Sequence, residues 1–184
     1  MKVTVLVDND TLVGVNFQGE PALSFYAEED GKKILFDTGF SDLFLKNAFL
    51  GQILRVLEFE NTHSKVITKL NGDWEEDKLL DDISLVFDGE EGLVILSGCA
   101  HAGICNTVEA AKAITGKSKI QDIVGGFHLL HPTEERMDKT VNYLSQLGLS
   151  HITPCHCTDS PSRCRIHQAI PVRPIGSGSV LEYR

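Results

Sequence analysis

The sequence predicts a mixed α/β layered domain in which early hairpins are followed by strand-helix units that build a parallel sheet under helices. Three observations predict it. In the second half, Val94 to Leu96, Ile120 to Val124 and His151 to Thr153 are short β-like runs, and each leads into a loop that carries a histidine: His101, His128 and His156. These histidines lie 27 and 28 residues apart, about the length of one strand, loop, helix and loop, so the runs read as consecutive βαβ units. In the first half, Glu28-Glu29-Asp30-Gly31-Lys32 separates two apolar runs, and Gly89-Glu90-Glu91-Gly92 separates two more. Both are glycine-containing hairpin signals.

Taken in order, Lys2 to Val7 is a strand, and Ala22 to Ala27 with Lys33 to Phe36 forms the first hairpin, which ends at Asp37-Thr38-Gly39. Ser41-Asp42 caps a helix through Leu50, with Leu43, Phe44, Leu45 and Ala48 on its apolar face. Between Gly51 and Asp82 the pattern is weak: Ile53 to Phe59 reads as a strand candidate, followed by a loop with Asn71-Gly72. Ile83 to Phe87 and Leu93 to Leu96 form the second hairpin. Gly103 to Thr115 is a helix carrying Val108, Ala110, Ala111 and Ala113. Pro132 to Leu147 is another, opened by Pro132-Thr133-Glu134-Glu135 and closed by Gly148. Short strands at Pro171 to Arg173 and Val180 to Glu182 end the reading.

With 184 residues, 42% hydrophobic and 23% charged, the chain suits one domain, residues 1 to 184, with a real core. No secretory signal and no apolar run of bilayer length is present, so no membrane association is expected and the expected location is the cytoplasm. The net charge of -9 is concentrated between Asp73 and Glu91, where nine acidic residues face only Lys78. That stretch reads as a solvated rim, with cation binding as the lesser alternative. The remainder is near neutral, which argues against a nucleic-acid partner because phosphate binding needs a basic face. Five cysteines, Cys99, Cys105, Cys155, Cys157 and Cys164, point to thiols rather than a disulfide framework. Cys105 falls on a helix face and reads as packing.

Parallel strands joined by right-handed crossovers share one carboxyl edge, so the three imidazoles are expected to meet there. A histidine in one βα loop also serves simply to bond a backbone group. Three at successive strand ends, each beside glycine or cysteine, favour a metal site. Cys155, His156 and Cys157 with Cys164 and His167 offer a different arrangement, a self-contained structural zinc or a cysteine redox pair, although their spacing matches no standard finger.

Four blocks carry a family resemblance: Leu35-Phe36-Asp37-Thr38-Gly39, Ser97 to Thr107, Gly125-Gly126-Phe127-His128-Leu129 and Pro154-Cys155-His156-Cys157-Thr158. Together they resemble the metallo-β-lactamase superfamily. More narrowly they are similar to the branch named for dihydropterin-ribofuranosylaminobenzene phosphate synthase. The resemblance implies an αββα sandwich with metal at its edge, Asp37 as a supporting residue, His101 as a ligand of a first metal and His156 as a ligand of a second. His128 lies where many members have a bridging aspartate. The superfamily's His-x-His-x-Asp-His run is absent after the helix that ends at Leu50, as though a section had been removed near residues 50 to 55.

The expectation is therefore a truncated metallo-β-lactamase-like αββα sandwich holding one divalent ion, zinc first and manganese or iron as alternatives. His101, His128 and His156 are its ligands, with Asp37, Cys99, Asn106, Cys155 and Cys157 in support; His63 is either a replacement ligand or a surface residue. Catalytic and substrate-binding residues are not assigned, beyond Arg163, Arg165 and Arg173 as anion contacts. The resemblance implies a metal-dependent hydrolase acting on a phosphorylated or pterin-like small molecule. The alternative is an inactive remnant that serves as a binding or assembly module, with a homodimer across the gap.

Overall fold

Gly92–Ser97 is a run of six residues that are all buried, and a strand buried on both faces must be the centre of a layered domain. The structure is a computed structural model that describes residues 1–7, 23–29, 32–37, 53–60, 67–70, 73–80 and 82–184. In chain order the strands are β1 (Lys2–Val7), β2 (Ser24–Glu29), β3 (Lys32–Asp37), β4 (Ile67–Leu70), β5 (Asp73–Glu76), β6 (Ser84–Gly89), β7 (Gly92–Ser97), β8 (Ile120–Gly125), β9 (Thr153–Pro154) and β10 (Val180–Glu182). The helices are α1 (Ile104–Thr115), α2 (Glu134–Ser145) and α3 (Ser160–Ala169).

The strands form an antiparallel sheet ordered β10-β1-β2-β3, a mixed sheet ordered β6-β7-β8-β9 and the separate pair β4-β5. In the mixed sheet β6 runs antiparallel to β7, while β7-β8 and β8-β9 are parallel, which is the series of crossovers that the histidine spacing predicts. The alternation of β7 explains the layers. Val94 and Leu96 pack with Val3, Val5, Phe25 and Val124 between the two sheets, whereas Leu93 and Ile95 join Ile104 and Val108 of α1, Met137 and Leu144 of α2 and Ile166 of α3 on the other face. Gly125 closes β8 at φ +133, and a Cβ there would stand 1.8 Å from the Ser97 carbonyl oxygen. Only glycine lets the end of β8 lie this close to β7.

Both expected hairpins form, as β2-β3 and β6-β7. The expected helices appear as α1 and α2, and Thr133 caps α2 by accepting from the Arg136 N–H at 3.2 Å. Two departures have clear physical causes. Residues 53–57 are not a strand but an irregular segment ending in a 3₁₀ turn, Glu58–Glu60. The N–H groups of Val56 and Leu57, which a ladder would use, donate instead to Asn106 Oδ1 at 2.9 and 2.8 Å. Helix α3 was absent from the sequence reading, yet Asp159 caps it by accepting from the Ser162 N–H at 2.8 Å and Pro161 stands in its first turn. The predicted helix from Ser41 to Leu50 lies outside the described residues. Among the described residues no helix is long and apolar enough to cross a membrane.

The end of the chain is tied to the mixed sheet through Asp122. Its fully buried carboxylate accepts from Tyr183 Oη at 2.7 Å and Thr153 Oγ1 at 3.0 Å, and lies 3.1 Å from His151 Nε2 and 3.4 Å from Arg173 Nη1. Removing it strands several buried groups at once. Asp122→Ala is expected to cost about 3 kcal/mol of stability in urea unfolding; a loss below about 1 kcal/mol would mean that the C-terminal segment is held by packing alone.

Candidate metal centre

Three loops leave the carboxyl ends of β7, β8 and β9 and meet on one edge. The first carries Cys99 and His101, the second His128, the third His156 and Cys157. Each loop has a non-glycine residue in the left-handed region beside the site, Ala100 at φ 52, His128 at φ 51 and Cys157 at φ 46, and the second loop has another at His131, φ 49. Such conformations cost about 1–3 kcal/mol each and persist where surrounding structure imposes them. Here the loops impose them on one another. Gly126 N–H donates to the Gly98 carbonyl at 2.9 Å and Leu129 N–H to the Cys157 carbonyl at 2.8 Å. A Cβ on Gly126 would come within 2.6 Å of Cys157 Sγ, so a larger residue would push the loops apart.

The side chains converge accordingly. The rings of His101 and His128 are edge-to-face with centroids 4.9 Å apart. The donor atoms of Cys99, His101 and His128 all lie within 4.8 Å of one another, and so do those of Cys99, His156 and Cys157. Cys99 is common to both trios. Its sulfur is 3.8 Å from His128 Nδ1, against about 3.6 Å for a nitrogen and a sulfur on one tetrahedral zinc. The two sulfurs, Cys99 Sγ and Cys157 Sγ, stand 2.9 Å apart, whereas two thiolates on one zinc need about 3.8 Å. Both trios could hold an ion; within Cys99, His101 and His128 the sulfur-to-nitrogen separation is near the tetrahedral value, whereas the trio with both sulfurs would need them to move apart.

Charge is arranged to suit that assignment. The hydrogen bond from Cys157 pulls the Cys99 thiol far below its ordinary range; burial opposes this, and His101, His128 and His156 reinforce it. Cys157 is pushed well up, by burial first and then by the neighbouring Cys99. Behind His101 stands Asp82, whose Oδ1 is 3.6 Å from His101 Nδ1 while Oδ2 accepts from the Ala102 N–H at 2.9 Å. At 3.6 Å this is an ion-pair contact rather than a hydrogen bond; a small ring rotation would convert it into the carboxylate–histidine arrangement that raises ligand basicity. Burial raises the Asp82 carboxyl, against the Ala102 hydrogen bond and the His101 charge.

The start of α1 is held from outside. Its N-cap, Gly103, has no side chain to offer, and Glu60 takes that role across the fold, accepting from the N–H groups of Cys105 at 3.0 Å and Asn106 at 2.7 Å. Asn106 completes the clip by donating to the Ala102 carbonyl at 2.7 Å. Asn106 thus supports the site by pinning the segment 53–60 and the His101 loop to one helix end. Sequence reasoning missed Asp82 and Glu60. Asp82 was legible in principle: β6 pairs antiparallel with β7, so the residues just before β6 fall beside the β7 carboxyl edge.

Other expected site residues lie elsewhere. Cys155 is buried between the sheets with Val94 and Leu96, because the extended backbone ahead of the turn aims it inward; its expected support of the metal is corrected on that ground. Cys164 is exposed on α3, and His167 Nδ1 accepts from the Val172 N–H at 3.0 Å, so the self-contained zinc cluster does not assemble. Arg165 pairs with Glu134 and Asp138, and Arg173 with Asp122. Arg163 donates to the Thr158 carbonyl at 2.8 Å. Asp37 closes β3 opposite Ser24; its side chain, like all of His63, lies outside the described residues.

No family model matches the chain. Over 103 residues, 55% of this chain, it is 38% identical to a 7,8-dihydropterin-6-methyl-4-(beta-D-ribofuranosyl)-aminobenzene-5'-phosphate synthase of Methanocaldococcus jannaschii, with 35% of that protein covered. It is 30% identical over 118 residues to an uncharacterized protein of the same organism, covering 64% of this chain and 42% of that one. The chain thus spans well under half the length of these curated relatives. A crystal structure described as a metal-dependent hydrolase of the beta-lactamase superfamily matches with a TM-score of 0.78 and 23% identity, over 99% of this chain and 98% of that one. The chain shares its fold with that crystal structure, and the sequence resemblance to the synthase holds over the 103 matched residues.

Glu60 generates a pH prediction. Burial raises its carboxyl above the usual 4.5, against the hydrogen bonds of Cys105 and Asn106 and the charge of Arg136. From that value upward to the raised one, the folded chain keeps a proton that the unfolded chain has lost. Its stabilising contribution is therefore full below this window and declines as pH rises through it. The urea midpoint of Glu60→Gln is expected to fall less steeply than that of the parent from pH 4.5 upward; parallel slopes would remove Glu60 from the pH response.

Proposed function

We propose that this chain is a metal-dependent, hydrolase-like protein that binds one divalent ion, zinc first, through His101, His128 and Cys99, with His156 as the fourth candidate. The observation that carries the reading is the Cys99-His101-His128 trio with Asp82 behind His101. A bound ion supplies Lewis acidity for attack on an ester or phosphoryl group. The chain's own part is to hold the imidazoles by its strand ends, to orient His101 through Asp82 and to keep Cys99 ionised. The printed name of the synthase relative supports a phosphorylated or pterin-like small molecule as substrate. Five free thiols fit a reducing compartment such as the cytoplasm.

The test is metal analysis of protein purified without chelator. Close to one zinc per chain is expected, and His101→Ala and Cys99→Ala should each lose most of it. Less than about 0.2 metal per chain, unchanged by these substitutions, would defeat the reading. Asp82→Asn is expected to keep the fold and weaken zinc about 10–100-fold by competition with a chelating dye. An unchanged affinity would deny Asp82 its orienting role.

A second reading, a binding or assembly module, is favoured by the exposure of Leu54, Val56, Ile67 and Trp74, each at least 60% exposed. A homodimer is its simplest form. Light scattering that finds only monomer at micromolar concentration, with no hydrophobic dye bound, would count against it.

A further inference from the structure

Cys99 and Cys157 are 58 residues apart in sequence, yet their sulfurs are 2.9 Å apart. A disulfide bond is about 2.05 Å long and two thiolates on one zinc stand about 3.8 Å apart, so the pair lies midway, inside ordinary sulfur–sulfur contact and within a small side-chain movement of a bond. The placement is built. Cys157 Sγ accepts from the His128 N–H at 3.2 Å and lies 3.3 Å from the Cys99 carbonyl oxygen. The left-handed backbone of Cys157 interrupts the extended run that buries Cys155 between the sheets. The remaining thiols are elsewhere: Cys105 buried in the first turn of α1, Cys155 in the inter-sheet core and Cys164 exposed on α3.

We propose that Cys99 and Cys157 form a dithiol switch on the metal centre: joined as a disulfide they withdraw Cys99 from His101 and His128 and the chain releases its ion, and reduction restores the site. The inference rests on the metal reading given above. The oxidant class is a hydroperoxide. The Cys99 thiolate, the more accessible of the two sulfurs, attacks one oxygen of hydrogen peroxide; the S–O bond forms, the O–O bond breaks, and the departing hydroxide takes a proton from solvent to give water, leaving a sulfenic acid on Cys99. Cys157 sulfur then attacks Cys99 sulfur, the S–S bond forms, the S–O bond breaks, and the oxygen leaves with the Cys157 proton as a second water. Two thiols lose two electrons and the peroxide gains them. A small dithiol reverses the bond by exchange.

The experiment uses the full chain loaded with zinc, treated with one equivalent of hydrogen peroxide and read in two ways: peptide mapping for the cross-link, and zinc released to a colorimetric chelator. A link between Cys99 and Cys157, release of most of the zinc and its recovery after dithiothreitol are expected. Cys157→Ser should load with zinc, form no link, and lose zinc to peroxide without recovery, because Cys99 then oxidises further. Absence of the link in the parent, or a link formed with zinc fully retained, overturns the switch. A reduced chain that takes up no zinc overturns the metal reading and the switch with it, and the peptide map distinguishes this from a failure of the thiol chemistry alone.

Discussion

Two parallel pairings, β7 with β8 and β8 with β9, are the constraint on which the rest depends. Parallel registry forces three loops to leave the sheet on one edge, and the close approach of Gly125 to Ser97 and of Gly126 to Gly98 brings those loops into contact. Hydrophobic burial sets the stage: the centre of the mixed sheet has apolar residues on both faces, so a slip by one residue would exchange the inter-sheet and helix-facing sets and strand both. Position at the site is thus inherited from packing far larger than the site itself.

The second ingredient is a set of buried carboxylates that exist to orient backbone. Glu60 and Asp82 are costly groups to bury, and each offsets that cost by accepting from N–H groups that lack an intrahelical partner at the start of α1 or just before it. Neither belongs to the two clusters of converging donor atoms. Together they fix the loop on which Cys99, Ala100 and His101 stand, which is why a left-handed Ala100 is tolerated there.

Much of the fold was legible in the sequence because its signals are local. Hairpin turns with glycine, the short apolar runs of β6 and β7, and the capped helix α2 depend on neighbours a few residues away. The histidine rim was legible for the same reason, since a regular βα period places each strand end without knowledge of its partners. What escaped was long-range. Residues 53–60 show no period because they are held by Asn106 and Glu60 hydrogen bonds rather than by a ladder, and the partnership of Cys99 with Cys157 depends on one left-handed turn that no spacing rule contains. Cys155, grouped with Cys157 by spacing alone, is sent by its extended backbone into the core between the sheets.

Sulfur at the rim bears on which ion the edge would take. Imidazole alone accepts zinc, manganese or iron with preferences set by geometry and supply, but a thiolate is a soft donor that favours zinc over manganese. One candidate trio sets the Cys99 sulfur beside two imidazoles, and the other sets it beside His156 and the sulfur of Cys157. Three strained loop residues at about 1–3 kcal/mol each are a steep outlay for a surface that only needs to be covered. Their convergence on one sulfur is accounted for if the edge holds Cys99 where it can face either a cation or a second thiol.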